Sequence, residues 1–327
     1  MQKEIENQGS LLDGKGELRE AGYAKTLLLH YDRSDIKASK LRIKEWDYYL
    51  IHNQQHAVAL TVADNSYMGL ISVSFIDFTQ PWFRTASILK AFPLGKLGLP
   101  NTSEHGNVVY DDKRIKLSFL HRDGGRELTC SMKNFVKRKN FYCSFTLEDE
   151  PEDSMVIATP FKENRKAFYY NQKINCMRAN GHVVYGHQKY SFDRDDSFAV
   201  LDWGRGVWPY KNTWYWGSAS GMAGGKPFGF NIGYGFGDTS AATENMLFYE
   251  GKAHKLDEVA FHIPMKGKRF DYMAPWTFTS NDQRFEMAFQ PIIDRCDYTT
   301  AGIISSDQHQ VFGRFNGEAV LDDGRKI

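Results

Sequence analysis

The sequence predicts an all-β protein made of two antiparallel lipocalin-like barrels in tandem, with a short helical insertion. Three observations carry this expectation. Aromatic residues make up 14% of the chain and sit among 28 glycines, a mixture that suits pleated sheets better than helix bundles. Turn signals such as Asp-Gly and Asn-Gly recur at short intervals, with alternating segments between them. The 327 residues exceed one small module, and a unit usually holds roughly 100–200.

In the first half, strands are expected over residues 23–31, 46–52, 57–62 and 68–78. Within the last of these, Ile71, Val73 and Phe75 alternate with period two, as a half-buried strand requires. Residues 80–100 interrupt the pattern, and 85–92, bounded by Pro81 and Pro93, fit a short helix. Strands resume over 108–110, 115–121, 127–132 and 141–147. The acidic, proline-bearing segment 151–166 reads as a domain boundary, giving a barrel over 1–160 and another over 161–327. In the second half, strands are expected over 168–177, 183–192, 198–203, 214–222, 228–235, 244–250, 258–263, 284–289 and 311–315. Asn180-Gly181 and Asn316-Gly317 read as hairpin turns.

Charge narrows the function classes. Lys+Arg is 41 against Asp+Glu 40, so the clustered positive charge of a phosphate-backbone binder is missing and no nucleic-acid partner is expected. The cysteines Cys130, Cys143, Cys176 and Cys296 lie far apart, without a C-x-x-C pair or zinc spacing, and read as small buried apolar residues. No metal or cofactor is expected: Walker, G-x-G-x-x-G, H-E-x-x-H and nucleophile-elbow patterns are all absent. The acidic opening residues do not form a signal peptide, and no apolar run reaches the ~18 residues of a membrane helix. A cytoplasmic protein without an integral membrane segment is the expectation.

The densest chemistry lies between Asp202 and Gly217. Four of the seven tryptophans fall here: Trp203, Trp208, Trp214 and Trp216. Asp202, Arg205 and Tyr210 share the stretch, and Gly204 and Gly206 allow sharp turns or close approach. An acid, a guanidinium and aromatic plates can hold a flat, greasy molecule and polarise one part of it. A core plug, with Asp202 paired to Arg205 or to backbone, is the competing reading. If Asp202 is dry and unpaired, its carboxyl becomes a neutral general acid; an Arg205 partner keeps it ionised. Glu244 is a candidate second carboxyl, with Asn245 beside it. His187 is a candidate for a barrel interior. Trp276, with Glu286, is a candidate for an aromatic rim, whereas residues 169–171 read as core and turn.

These strings have a family likeness. DWGRGVWPY with WYWGSASG, the upstream AFYYNQKINCM and GHVVYGHQKYSF, and TENMLFYEG with APW resemble the bacterial domain-of-unknown-function family 2804. In the first half, LLDGKGELREAGYAK, YDRSDIKASKLRIKEWDYY and LP-x-x-S-x-x-G-N-V-V-Y extend the resemblance over nearly the whole chain. That family is similar to the calycin group of carotenoid 1,2-hydratases, tocopherol cyclases and lipocalin-like pericyclases. The resemblance implies paired lipocalin-like barrels and apolar polyene or prenyl substrates. Asp202-Trp203-Gly204 is the nearest equivalent of that group's D-H-Q-W-G string, with no His between Asp202 and Trp203. The chain ends at residues 322–327, where the last strand of such a barrel is expected to continue. The expected function is binding of an apolar or aromatic small molecule, with cofactor-free hydration, cyclisation or isomerisation. The alternative is a carrier or sensor of a lipophilic ligand; glycan stacking is a third reading.

Overall fold

The computed structural model describes residues 2–301 and 304–327. Strands dominate them, and the only helices among them are single 3-10 turns at Arg33–Asp35 and Lys40–Arg42. None is long and apolar enough to cross a membrane.

A thirteen-stranded antiparallel sheet organises the first two thirds of the chain. Its main path runs from Trp82–Ala91 through Met68–Asp77, His56–Asp64 and Ile43–His52 to Phe198–Val207. It continues through Phe168–Tyr185, Lys139–Glu148, Gly125–Val136 and Ile115–Arg122 to Val108–Asp111. The sheet curls so that distant strands share one core. Phe75, for example, meets Phe141 and Tyr185 with ring centroids 6.3 and 6.2 Å apart. Ile71, Val73 and Phe75 all face this core, as their alternation predicts.

Three local expectations are corrected. Residues 85–92 are not helical, because Trp82–Ala91 is a strand paired along its whole length with Met68–Asp77. The Asp77 carboxylate ties the turn by accepting from the Thr79 amide and hydroxyl (2.8 and 2.7 Å). Trp82, Ala86 and Ile88 then pack on the core at period two. Asn180-Gly181 and Asn316-Gly317 are not turns but lie inside the long strands Phe168–Tyr185 and Ile304–Ala319. Both glycines serve close backbone approach. A Cβ on Gly181 would sit 2.1 Å from the Ser144 carbonyl oxygen, and one on Gly317 2.1 Å from that of Glu286. The first hairpin turns instead at Gly186-His187.

The expected 1–160/161–327 division does not coincide with a break in the sheet. Met155–Pro160 pairs with the start of Phe168–Tyr185, Pro160 opposite Phe168, so residues 161–167 merely join two neighbouring strands. The change of sheet comes after Val207. Beyond it, Tyr215–Ala223, Lys226–Tyr234, Met246–Tyr249 and Lys252–Lys255 form one four-stranded sheet. Val259–His262, Trp276–Ser280, Phe285–Ala301 and Ile304–Ala319 form another. A second core, including Phe230, Phe278, Phe285 and Phe289, lies between these two. The long final hairpin reaches back over the first sheet, where Ile293 packs with Ala57 and Ile76.

Gly181→Ala is expected to cost about 1–3 kcal/mol by forcing strands apart, read as a lower urea midpoint. Gly14→Ala, whose Cβ meets nothing within 4 Å, should stay within about 0.5 kcal/mol of the parent.

Candidate functional site

Strand register builds the site. Across three neighbouring strands Lys173 lies opposite Asp202 and Asp202 opposite Tyr48; the next matching row is Asn171, Gly204, Trp46, and the next Tyr169, Gly206, Lys44. Residues opposed across an antiparallel ladder point to the same face, and this one faces the second unit. The intervening rows, Gln172–Trp203–Asp47 and Tyr170–Arg205–Glu45, face the first core.

Asp202 therefore has neither expected alternative. Lying an odd number of residues from Arg205, it points the other way, and its cationic partner is Lys173. The Lys173 ammonium lies 2.7 Å from Asp202 Oδ2, with both side chains largely buried. Asp202 Oδ1 accepts from the Trp46 indole N–H (3.1 Å) and from the Asn171 amide (2.7 Å). Gly204 makes this possible: a Cβ there would sit 2.2 Å from the Trp46 ring, so the indole lies flat across the glycine to reach Asp202. Arg205 is a structural clamp. Fully buried, it donates to the carbonyls of Trp46, Gly204 and Pro100 (2.7, 2.9 and 2.8 Å) and to Asp47 Oδ1 (2.9 Å). Trp203 packs under its guanidinium, 4.2 Å from ring centroid to Cζ.

The second unit closes over this cluster. The ring of Trp216 lies 4.3 Å from the Lys173 ammonium. Its indole donates to Asn231 Oδ1 (2.7 Å), and the Asn231 amide donates to the Glu244 carbonyl (2.8 Å) and carboxylate (3.3 Å). Tyr48 stands edge-on to Trp216 at 6.4 Å, and its hydroxyl accepts from the Gln310 amide at 3.0 Å. Trp46 stacks on Tyr169 (6.1 Å, 24°) and meets Trp208 edge-on at 5.4 Å. Trp46, Tyr48, Trp208, Trp216 and Glu244 are each only half-buried although they lie between sheets.

Burial dominates the electrostatics of Glu244. Burial pushes the Glu244 carboxyl above its usual range; Lys173 and the Asn231 hydrogen bond oppose this, while the negative charge of Asp202 adds to it. Burial also raises the Tyr169 phenol, reinforced by Asp202 and Glu244. The buried Asn171 Oδ1 has no hydrogen-bond partner.

Other expected residues lie apart or act structurally. Asn245 secures the strands by accepting from the Gly233 amide and donating to the Asp257 carbonyl (2.7 Å each). Tyr210 and Trp214 are exposed beyond Val207, with Arg42 over the Tyr210 ring at 3.9 Å and Phe236 edge-on to Trp214 at 5.8 Å. His187 is exposed in its turn rather than inside a barrel, because the long strand carries the chain past the core before reversing. Trp276 packs at the edge of the second core and donates to the Tyr272 carbonyl (3.1 Å). Glu286 is exposed. Cys130, Cys143 and Cys176 are buried as expected, whereas Cys296 is exposed, on the outward side of the final hairpin. Sequence reasoning missed Lys173, Trp46, Tyr48, Asn171, Tyr169 and Asn231. The available signal was Asn171-Gln172-Lys173, three polar residues in the middle of an apolar strand.

The sequence matches the family described as a domain of unknown function, DUF2804, over residues 2–327. The chain belongs to this family. No curated protein sequence matches it. Among solved structures, an AttH-like protein of Nitrosomonas europaea is similar with a TM-score of 0.56 and 12% identity, over 89% of this chain and 93% of that one. Kievitone hydratase of Nectria haematococca is similar at a TM-score of 0.48 and 10% identity, over 95% of each chain. CghA is similar at 0.49 and 10%, over 95% of this chain and 93% of its own. The DUF2804 chain shares the fold of the AttH-like protein.

Lys173→Met strands the Asp202 charge and is expected to cost about 3–5 kcal/mol in urea unfolding, most of it recovered by adding Asp202→Asn. Glu244 gives a pH signature. A carboxyl held above its ordinary 4.5 keeps a proton that the unfolded chain has released, so stability falls as pH rises through that interval. Glu244→Gln removes this slope. The variant should therefore gain on the parent as pH rises from about 4.5 to 8, measured by urea midpoints across the range.

Proposed function

We propose that the crevice between the first sheet and the second unit binds an apolar or aromatic small molecule of prenyl, polyene or lipid-like character. There the protein carries out cofactor-free acid–base chemistry: hydration, cyclisation or isomerisation. One observation supports this reading above others: Asp202, Lys173 and Glu244 converge among half-exposed rings of Trp46, Tyr48, Trp208 and Trp216. Apolar walls around a few convergent polar groups are the usual composition of a small-molecule site.

The chemistry follows from the two environments. Glu244, biased toward its protonated form, is the general acid that donates to an alkene carbon or carbonyl oxygen. Asp202, fixed by Trp46, Asn171 and Lys173, is the base that receives a proton or orients a water. The unpartnered Asn171 Oδ1 offers an acceptor for a hydroxyl or water beside it. Trp216 already holds an ammonium against its face, and such a face stabilises a carbocation by about 0.5–2 kcal/mol.

The mutual satisfaction of Asp202 and Lys173 favours a second reading, a carrier or sensor of the same ligand class, in which the ion pair is a fixed floor. Tryptophan fluorescence titrated with geranylgeraniol, retinol and a planar phenol tests both. At least one class is expected to quench, and Trp216→Phe should remove much of the change. Quenching by none of them would refute the binding site. For a compound that binds, Glu244→Gln should retain binding within about threefold while abolishing conversion. Binding without conversion by the parent protein leaves the carrier.

A further inference from the structure

The connection between Val259–His262 and Trp276–Ser280 folds into a small hairpin, Met265–Lys266 paired with Arg269–Phe270 around Gly267. Met265 lies opposite Phe270 and Lys266 opposite Arg269, so one face is apolar and the other basic. Met265, Phe270 and the nearby Met273 are 55%, 40% and 44% exposed, although nothing in the hairpin requires large apolar groups in water. Lys266, Lys268 and Arg269 are exposed beside them. Lys266, Arg269, Phe270 and Met273 line one shallow concavity, which also contains Asp271 and Asp294. None of the three cations forms an ion pair within 4.0 Å among the described residues, while Asp294 and Asp307 both lie against His309, at 2.6 and 3.6 Å, and half-buried Asp271 is the hairpin's own acid.

The base of the hairpin is firmly seated. Phe270 lies 5.7 Å from the Tyr272 ring, and Tyr272 stacks on His309 of the final hairpin at 3.9 Å and 22°. An apolar tip flanked by cations on a rigid mount matches a bilayer interface bearing negative headgroups, where methionine and phenylalanine enter the acyl boundary and lysine and arginine stay at headgroup level. Nucleic acid fits less well, since it offers no apolar layer to cover two methionines, and three cations are few for a phosphate-backbone footprint.

We propose that this hairpin docks the protein on anionic lipid bilayers, with Met265, Phe270 and Met273 entering the interface and Lys266, Lys268 and Arg269 meeting the headgroups. The proposal is independent of the crevice reading. Its test is flotation of the full chain with phosphatidylcholine vesicles with and without phosphatidylserine, at low and high salt. Binding is expected on phosphatidylserine vesicles, with loss at high salt and at least tenfold weaker partitioning to neutral vesicles. Reversing Lys266, Lys268 and Arg269 to Glu should weaken partitioning by about a hundredfold or more. Met265→Ser should weaken it by about fivefold with an unchanged melting temperature, because that side chain is 55% exposed. No flotation with phosphatidylserine vesicles, equal binding to neutral vesicles, or unaltered partitioning of the variants would overturn the proposal. So would retention on a heparin column without vesicle binding, which would mark the hairpin as a general polyanion site.

Discussion

A lysine ammonium removed from water must be neutralised where it sits, and the meeting of the two units is arranged around that requirement. Lys173 is 3% exposed at its side chain and has Asp202 at 2.7 Å on the neighbouring strand and the Trp216 ring at 4.3 Å from the other unit. Asp202 in turn takes the Trp46 and Asn171 donors. The cluster is thus a chain of mutual obligations rather than a set of separate contacts. In a low-dielectric interior such a network gains strength when every member is satisfied and loses it steeply when one is missing.

The same strands serve two masters. Along Phe198–Val207, Asp202 faces Lys173 and the second unit while Trp203 and Arg205 face the first core, where Arg205 reaches four oxygen partners. A slip of one residue would exchange the faces, burying an aspartate in the apolar interior and turning the tryptophan outward. Both faces therefore reject misregister, and Gly204 adds a steric key, since the Trp46 ring fits only over a position without a Cβ.

The sequence made the strand-rich class legible through Ile71, Val73 and Phe75, and it drew attention to Phe198–Val207 through Asp202 and its tryptophans. It misled where one residue type has two uses. Asn-Gly is a hairpin signal, yet Gly181 and Gly317 are glycines because a neighbouring backbone carbonyl leaves no room for a side chain. Prolines at 81 and 93 bracket a strand as readily as a helix when a partner strand lies alongside. Asp202 and Arg205 look like partners in a linear string, but an odd spacing on a strand separates them. Lys173, Trp46 and Tyr48 reach Asp202 only through cross-strand register, which no local pattern encodes, and Asn231, Glu244 and Gln310 come from elements folded on after the first sheet.

Gln310 lies on the last strand of the final hairpin and donates to Tyr48 across 262 positions of sequence. The residues around Asp202 are therefore held by contacts that join the early strands to the other end of the chain. During synthesis the Lys173–Asp202 pair can form while Trp216 and Gln310 are still being made, but the enclosure cannot. The contacts that join Tyr48 to Gln310 are thereby completed only after the closing hairpin has been translated and has folded back.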